Sequence, residues 1–219
     1  MNLLPLLLIN LKNTGNDFLQ RLCFQNNVRS KYLTLALVAI GLVFASYDIL
    51  ILQKTLTFNV FLIHFKTDLV FLVLSSVFTL YVYFNQVKTH RDIQKHHKYI
   101  HRVIALAVLI WSVFKSVIFV KFNGGNYNVA IICILTTGFI YVFPSVIYFA
   151  QLALTVLLAL ITSLIFNFTV YQIIKDLYIL VTIALISFIV SRYIFYLHLR
   201  IFSKEKELAR YKKRMTGKK

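Results

Sequence analysis

The chain has 219 residues, of which 59% are hydrophobic and 14% charged, with a mean hydropathy of +0.77 and a formal net charge of +17. Soluble domains carry nearer a quarter charged residues, so this composition excludes an ordinary soluble protein, and the short connections leave no room for a separate soluble domain. The apolar residues also form long runs rather than the roughly ten-residue alternation of barrel strands, so the expected class is an all-α polytopic membrane protein.

In chain order, residues 1–31 read as a cytoplasmic or interfacial segment. MNLLPLLLINL is broken by Pro5 and lacks a basic leader region and a small-residue cleavage site, so it is not read as a signal peptide. Phe18, Leu19 and Leu22 fall on one helical face and are expected to touch the membrane interface. The first span is placed at Tyr32–Leu52, followed by a short external connection at 53–66 and a second span at Asp68–Phe84. Residues 85–102, NQVKTHRDIQKHHKYIHR, form the longest polar loop, and Val103–Val120 the third span. FNGGNYN at 122–128 is a turn, with Gly124 and Gly125 supplying backbone freedom. Val129–Tyr171 is an apolar stretch of 43 residues without a charge, which fits two spans of about 20 residues each. Its break is expected near Pro144–Gln151, with a short external turn at Gln172–Leu177 before the sixth span. Residues 32–199 thus form a six-helix transmembrane domain, and residues 200–219 a basic cytoplasmic helix.

The placement of charge sets the orientation. Four Lys/Arg precede the first span, five lie in the 85–102 loop and nine in the tail, so 18 of the 24 fall on one side. By the positive-inside rule both termini are cytoplasmic. Basic juxtamembrane residues also attract anionic headgroups, so the lipid bilayer accounts for the charge and nucleic acid is not an expected partner.

Ionisable side chains inside spans are costly, on the order of 3 kcal/mol each on insertion scales, and each calls for an explanation. Asp48, His64, Asp68 and Lys115 all fall toward the outer side. Paired, they form an ion-pair cluster and a candidate small-molecule ligand site opening outward. Unpaired, Lys115 snorkels and the aspartates mark span ends. Arg192 is deeper, and is expected to snorkel inward or to bond Asn167, Gln151 or a backbone carbonyl. His90, His96, His97 and His101 invite a metal site, but no carboxylate or cysteine completes one, and a solvated basic loop is the plainer reading. Cys23 and Cys133 have no metal or redox spacing. HExxH, GxSxG and Walker motifs are absent, and no histidine is placed to activate either cysteine. No catalytic residue, metal or cofactor is therefore expected, and the chain is not read as an enzyme.

From Tyr178 to Lys219 no Gly or Pro interrupts the chain until Gly217, so one helix is expected to leave the membrane and enter the cytosol. Along it Ile194, Leu197, Ile201, Lys204, Leu208, Tyr211 and Met215 alternate at spacings of three and four, the register of a coiled-coil seam. Six spans, a basic second loop and the stretch SRYIFYLHLRIFSKEKELARYKKRMTGKK together resemble the membrane sensor modules at the N-terminus of bacterial signalling proteins. Diguanylate cyclases with a GGDEF domain are the nearest case, with some membrane adenylate cyclases and histidine kinases. Arg192, Arg200, Phe202, Glu207 and Leu208 occupy the places of the arginine-spaced stretch, the Phe and the Glu-Leu pair of those modules, and MTGKK is similar to the entry into a GGDEF domain. The resemblance implies a dimeric receptor in a bacterial cytoplasmic membrane that passes a signal to a cytoplasmic output domain or partner. No GGDEF, kinase or cyclase core occurs in these residues, so nucleotide synthesis is not implied. The chain is then a piece of a longer protein or a module working with a separate partner. A small transporter, or the substrate-binding subunit of one, is the alternative, suited by the short loops, Pro144, FNGGNYN and the outer polar residues. A structural membrane partner is a third.

Overall fold

A computed structural model describes residues 16–89, 93–94 and 96–216. His90 and the start of the N-terminal run fall outside them. The described residues form six principal helices and no strand. Helix α1 covers Asn16–Tyr47 and runs on through a π-helical turn, Asp48–Leu52, to Gln53–Thr55. Then follow α2 (Phe58–Phe84), α3 (His97–Asn123), α4 (Asn128–Ile140), α5 (Ser145–Ile165) and α6 (Val170–Thr216). Five of the helices are long and apolar enough to cross a membrane, at Asp17–Thr55, Phe58–Phe84, Tyr99–Asn123, Ser145–Ile165 and Val170–Thr216. At 13 residues, α4 is about 20 Å long, short of the roughly 30 Å of a hydrocarbon core.

Helix α3 is the hub. Its apolar window is 67% buried, against 22% to 33% for the other four spans. Ala105, Leu109, Val113 and Val117 recur every fourth residue and pack with Ala130, Ile134, Tyr148 and Leu180. Ile104, Val108 and Trp111 point the other way, against Leu37 and Phe71. The remaining helices keep large apolar side chains such as Val43, Val73, Leu157 and Ile165 exposed, as a lipid-facing surface requires.

Three local expectations change. The break in the 129–171 stretch is a fully buried, non-helical segment at Tyr141–Phe143, and Gln151 lies inside α5. Proline excludes helical geometry from the residue before it and suits the start of a helix, so the break precedes Pro144. The turn before α6 lies at 166–169, where Asn167 takes φ 53°, and residues 172–177 are helical. Phe18 and Leu22 do not face the membrane. They are 3% and 4% exposed and pack against Val142 and Phe195. Phe18, Leu22, Asn26, Ser30 and Thr34 stand four residues apart and are all buried, so α1 turns one continuous face inward well before its apolar run begins.

Candidate functional site

Asp48, His64, Asp68 and Lys115 come together between α1, α2 and α3. Lys115 Nζ donates to Asp68 Oδ2 at 2.6 Å and lies 3.6 Å from Asp48 Oδ1 and 3.5 Å from His64 Nδ1. His64 Nε2 reaches Asn123 Oδ1 at 3.2 Å, next to the turn at Gly124. The sequence favours this convergence in two ways. His64, Asp68 and Phe71 lie on one face of α2 at spacings of four and three, and the π-helical turn starting at Asp48 adds a residue that resets the facing of α1. Gly41 lies against Leu72 of α2, where a Cβ would stand 3.2 Å from Leu72 Cδ1. Below the charges Trp111 stacks on Phe71 at 3.8 Å and meets Phe44 at 5.7 Å, and the ammonium of Lys115 sits 5.4 Å from the Phe44 ring.

Asp48, His64 and Asp68 are 0% exposed and Lys115 is 2%, so the cluster is enclosed and does not open as a pocket. Lys115 is not snorkelling. Its charge is answered by carboxylates within the bundle. Among the described residues no group of three or more His, Cys, Asp or Glu side chains has the arrangement of a metal site.

A second constellation surrounds the non-helical segment Tyr141–Phe143, whose backbone groups need partners where water is excluded. Asn26 Nδ2 donates to Val142 O at 2.9 Å, and Val142 N donates to Asn26 Oδ1 at 3.2 Å. Arg29 donates to Ile140 O at 3.0 Å, Ser30 and Tyr141 share a hydroxyl bond at 3.0 Å, and Arg192 donates to Phe143 O. Of the partners open to Arg192, the structure takes a backbone carbonyl. Its guanidinium also lies 5.6 Å and 5.0 Å from the rings of Phe188 and Phe195. Arg29 thus meets the carbonyl end of α4, which favours positive charge. His101 stacks on Phe143 with ring centroids 5.6 Å apart, and Gln151 donates to Arg102 O at 3.0 Å. Beside the segment is a cavity of about 410 Å³, lined among others by Gln20, Asn26, His101, Arg102 and Pro144.

Of the loop histidines, His97 and His101 are buried parts of the fold, His96 is exposed, and His90 lies outside the described residues. His97 Nδ1 accepts from Gln94 N at 3.1 Å and its Nε2 donates to Asn85 O at 3.1 Å, fixing a neutral tautomer at the loop end. Burial holds the His97 imidazole below its ordinary value.

Along the seam Ile194 and Leu197 are half-buried, and Ile194 packs beside the Phe18–Phe195 cluster. Ile201, Leu208, Tyr211 and Met215 are exposed. Phe195, Leu199 and Phe202 take the side facing α1, where Phe18 meets Phe195 at 5.6 Å and Phe202 at 5.3 Å and Arg21 pairs with Glu205. At about 100° per residue, the exposed seam lies on the other side of α6 from those contacts. Apart from the bond of Arg192 to a backbone carbonyl, the second constellation escaped the sequence reading, although buried-face spacing at Asn26, Ser30 and Thr34 was a signal for it. No protein-family model, curated protein or solved structure matches this chain.

Proposed function

We propose that this chain is a six-span membrane sensor that dimerises through α6 and relays a signal from the Asp48–Asp68–Lys115–His64 site to a cytoplasmic partner or output domain. The observation that carries the reading is α6 itself. It runs unbroken for 47 residues, about 70 Å, and its apolar seam from Ile201 to Met215 is uncovered within the protomer. A helix that only crossed a membrane needs about 20 residues. Arg192 ties the same helix to the backbone of the α4 break, so α6 is both anchored in the bundle and extended beyond it.

The sixth span is supplied by α4 together with Tyr141–Pro144. About 20 Å of helix and about 13 Å of extended chain match the roughly 33 Å that α3 rises between His101 and Asn123. The excess of Lys and Arg in the loop and tail supports a cytoplasmic side for both termini and the seam, against anionic lipid, and the resemblance implies a bacterial inner membrane. Single cysteines at Ile201, Leu208 and Met215 in native membranes are expected to cross-link between protomers, with Lys206→Cys, off the seam, much weaker. Absence of dimer at all three seam positions would reject the reading.

A small transporter is the second reading, favoured by the broken α4 and the cavity beside it, since discontinuous helices border substrate sites in transporters. Uptake of a solute into vesicles reconstituted with the protein, abolished by Lys115→Ala, would decide for it.

A further inference from the structure

The outer cluster holds one more acidic group than its basic groups can match. Lys115 carries the one positive charge. Since Lys115 donates to His64 Nδ1, His64 is a neutral imidazole whose Nε2 donates to Asn123; this tautomer is assigned from the network. Lys115 also donates to Asp68 Oδ2, but Asp68 Oδ1 and both oxygens of Asp48 receive no hydrogen bond. Both aspartates are fully enclosed. An ionised carboxylate without a donor costs several kcal/mol in such a setting, and the 3.6 Å approach of Lys115 to Asp48 is shared with the shorter bond to Asp68. The other cations at this end of the three helices, Lys54, Lys66 and Lys121, are exposed, as is Tyr47. Phe44, Phe71 and Trp111 close the remaining sides with aromatic rings.

A single proton resolves the mismatch. On Asp48 it turns an acceptor-only group into a donor, and Asp68 Oδ1 is an unoccupied acceptor. Lys115 Nζ links the two carboxyl groups, 2.6 Å from Asp68 Oδ2 and 3.6 Å from Asp48 Oδ1. Charges then balance as one ammonium and one carboxylate. The His64–Asn123 pair extends from the cluster to the turn at Gly124, at the end of α3. We infer that the cluster is a proton-binding site, in which Asp48 and Asp68 share one exchangeable proton beside Lys115. The inference takes from the proposed function only that this cluster receives the signal, and names the proton as what it receives.

Infrared spectroscopy of the full chain in liposomes tests this. Wild type is expected to show the carbonyl stretch of a protonated carboxyl near neutral pH, lost reversibly as pH is raised. Asp48→Asn and Asp68→Asn should each abolish that band, because the remaining aspartate then pairs with Lys115 as a carboxylate, whereas Asp17→Asn, at an exposed site, should leave it. No such band in wild type overturns the inference without reliance on any variant. So does a band that does not titrate, or one that survives both cluster substitutions. Loss of the band on adding sodium or potassium chloride at fixed pH overturns it in favour of a metal cation. Failure of the α6 cross-links would leave the infrared result standing, so the two readings fail separately.

Discussion

Lys115→Met should be the most destabilising single change in the outer cluster. The ammonium answers Asp68 at 2.6 Å and Asp48 at 3.6 Å, at side-chain positions 3% exposed or less, so its removal strands two carboxyl groups with no cation. Breaking a buried pair from one side costs about 3–5 kcal/mol, because the surviving charge keeps its desolvation penalty. Asp48→Asn should differ sharply. The amide supplies a donor toward Asp68 Oδ1 and leaves the short Lys115–Asp68 bond intact, so a change within about 1 kcal/mol is expected. Asp68→Asn should fall between them. Combining Lys115→Met with Asp68→Asn should cost less than the sum of the two, since the second change removes the charge that the first strands. Reversible unfolding in mixed micelles of rising sodium dodecyl sulfate content, followed by circular dichroism, gives these differences directly. A Lys115→Met protein within about 1 kcal/mol of wild type, or Asp48→Asn as damaging as Lys115→Met, would refute the pairing scheme.

Gly138→Ala would place a Cβ 2.2 Å from Ser187 Oγ and 2.8 Å from Tyr148 Oη, where α4 meets α6. Overpacking of about 1–3 kcal/mol, offset by about 1 from helix propensity, should lower the melting temperature in detergent, and Ser187→Ala should restore part of it. Asn26→Ala leaves Val142 N and O without partners, a loss of about 2–4 kcal/mol, which should appear as faster amide exchange at residues 141–143 and not in α2. The folded His97 binds a proton less readily than the unfolded one, so its contribution is present above the ordinary value of 6.5 and is lost as pH falls below it. Proteolysis within 85–97 should therefore rise on acidification in wild type and become independent of pH over that window in His97→Gln. Arg192→Lys keeps the charge but loses the planar fork between Phe188 and Phe195, and should weaken thermal stability nearly as much as Arg192→Met.

How much of this was legible in the sequence follows from what each feature costs. Ionisable residues in apolar spans are expensive, so Asp48, Asp68 and Lys115 announced themselves, and pairing was the cheapest arrangement. Long uninterrupted apolar runs showed helices throughout, and the lack of Gly or Pro before Gly217 showed α6 as one rod. The shortness of α4 was hidden, because 43 uncharged residues carry no mark of where the backbone unwinds. Pro144 signalled a break without its extent. The residues that stabilise the break, Asn26, Arg29 and Ser30, lie more than a hundred positions earlier in a stretch whose polarity read as exposure. The N-terminal segment looked like a surface because its stripe mixes Phe and Leu with Asn, Ser and Thr, and only the fourfold spacing distinguishes an inward face from a wet one.

The two constellations belong to one mechanical frame. Lys115 and His101 are 14 residues apart on α3, about 20 Å, and Asp48 and Asn26 are 22 apart on α1, about 33 Å. Each helix therefore contributes to the outer cluster at one end and to the α4 break at the other. A helix transmits a shift along its axis with little loss, whereas opposite charges paired within the cluster largely cancel at a distance of about 20 Å or more. Any influence of the cluster on α6 must then pass as a movement of α1 against α3. At the break that movement meets Asn26 on Val142 and Arg192 on Phe143, adjacent residues just past the last helical hydrogen bond of α4, from Tyr141 N to Thr137 O. The non-helical segment is thus one place where a displacement of α1 reaches α6, alongside the direct contacts of Phe18 with Phe195 and Phe202 and of Arg21 with Glu205.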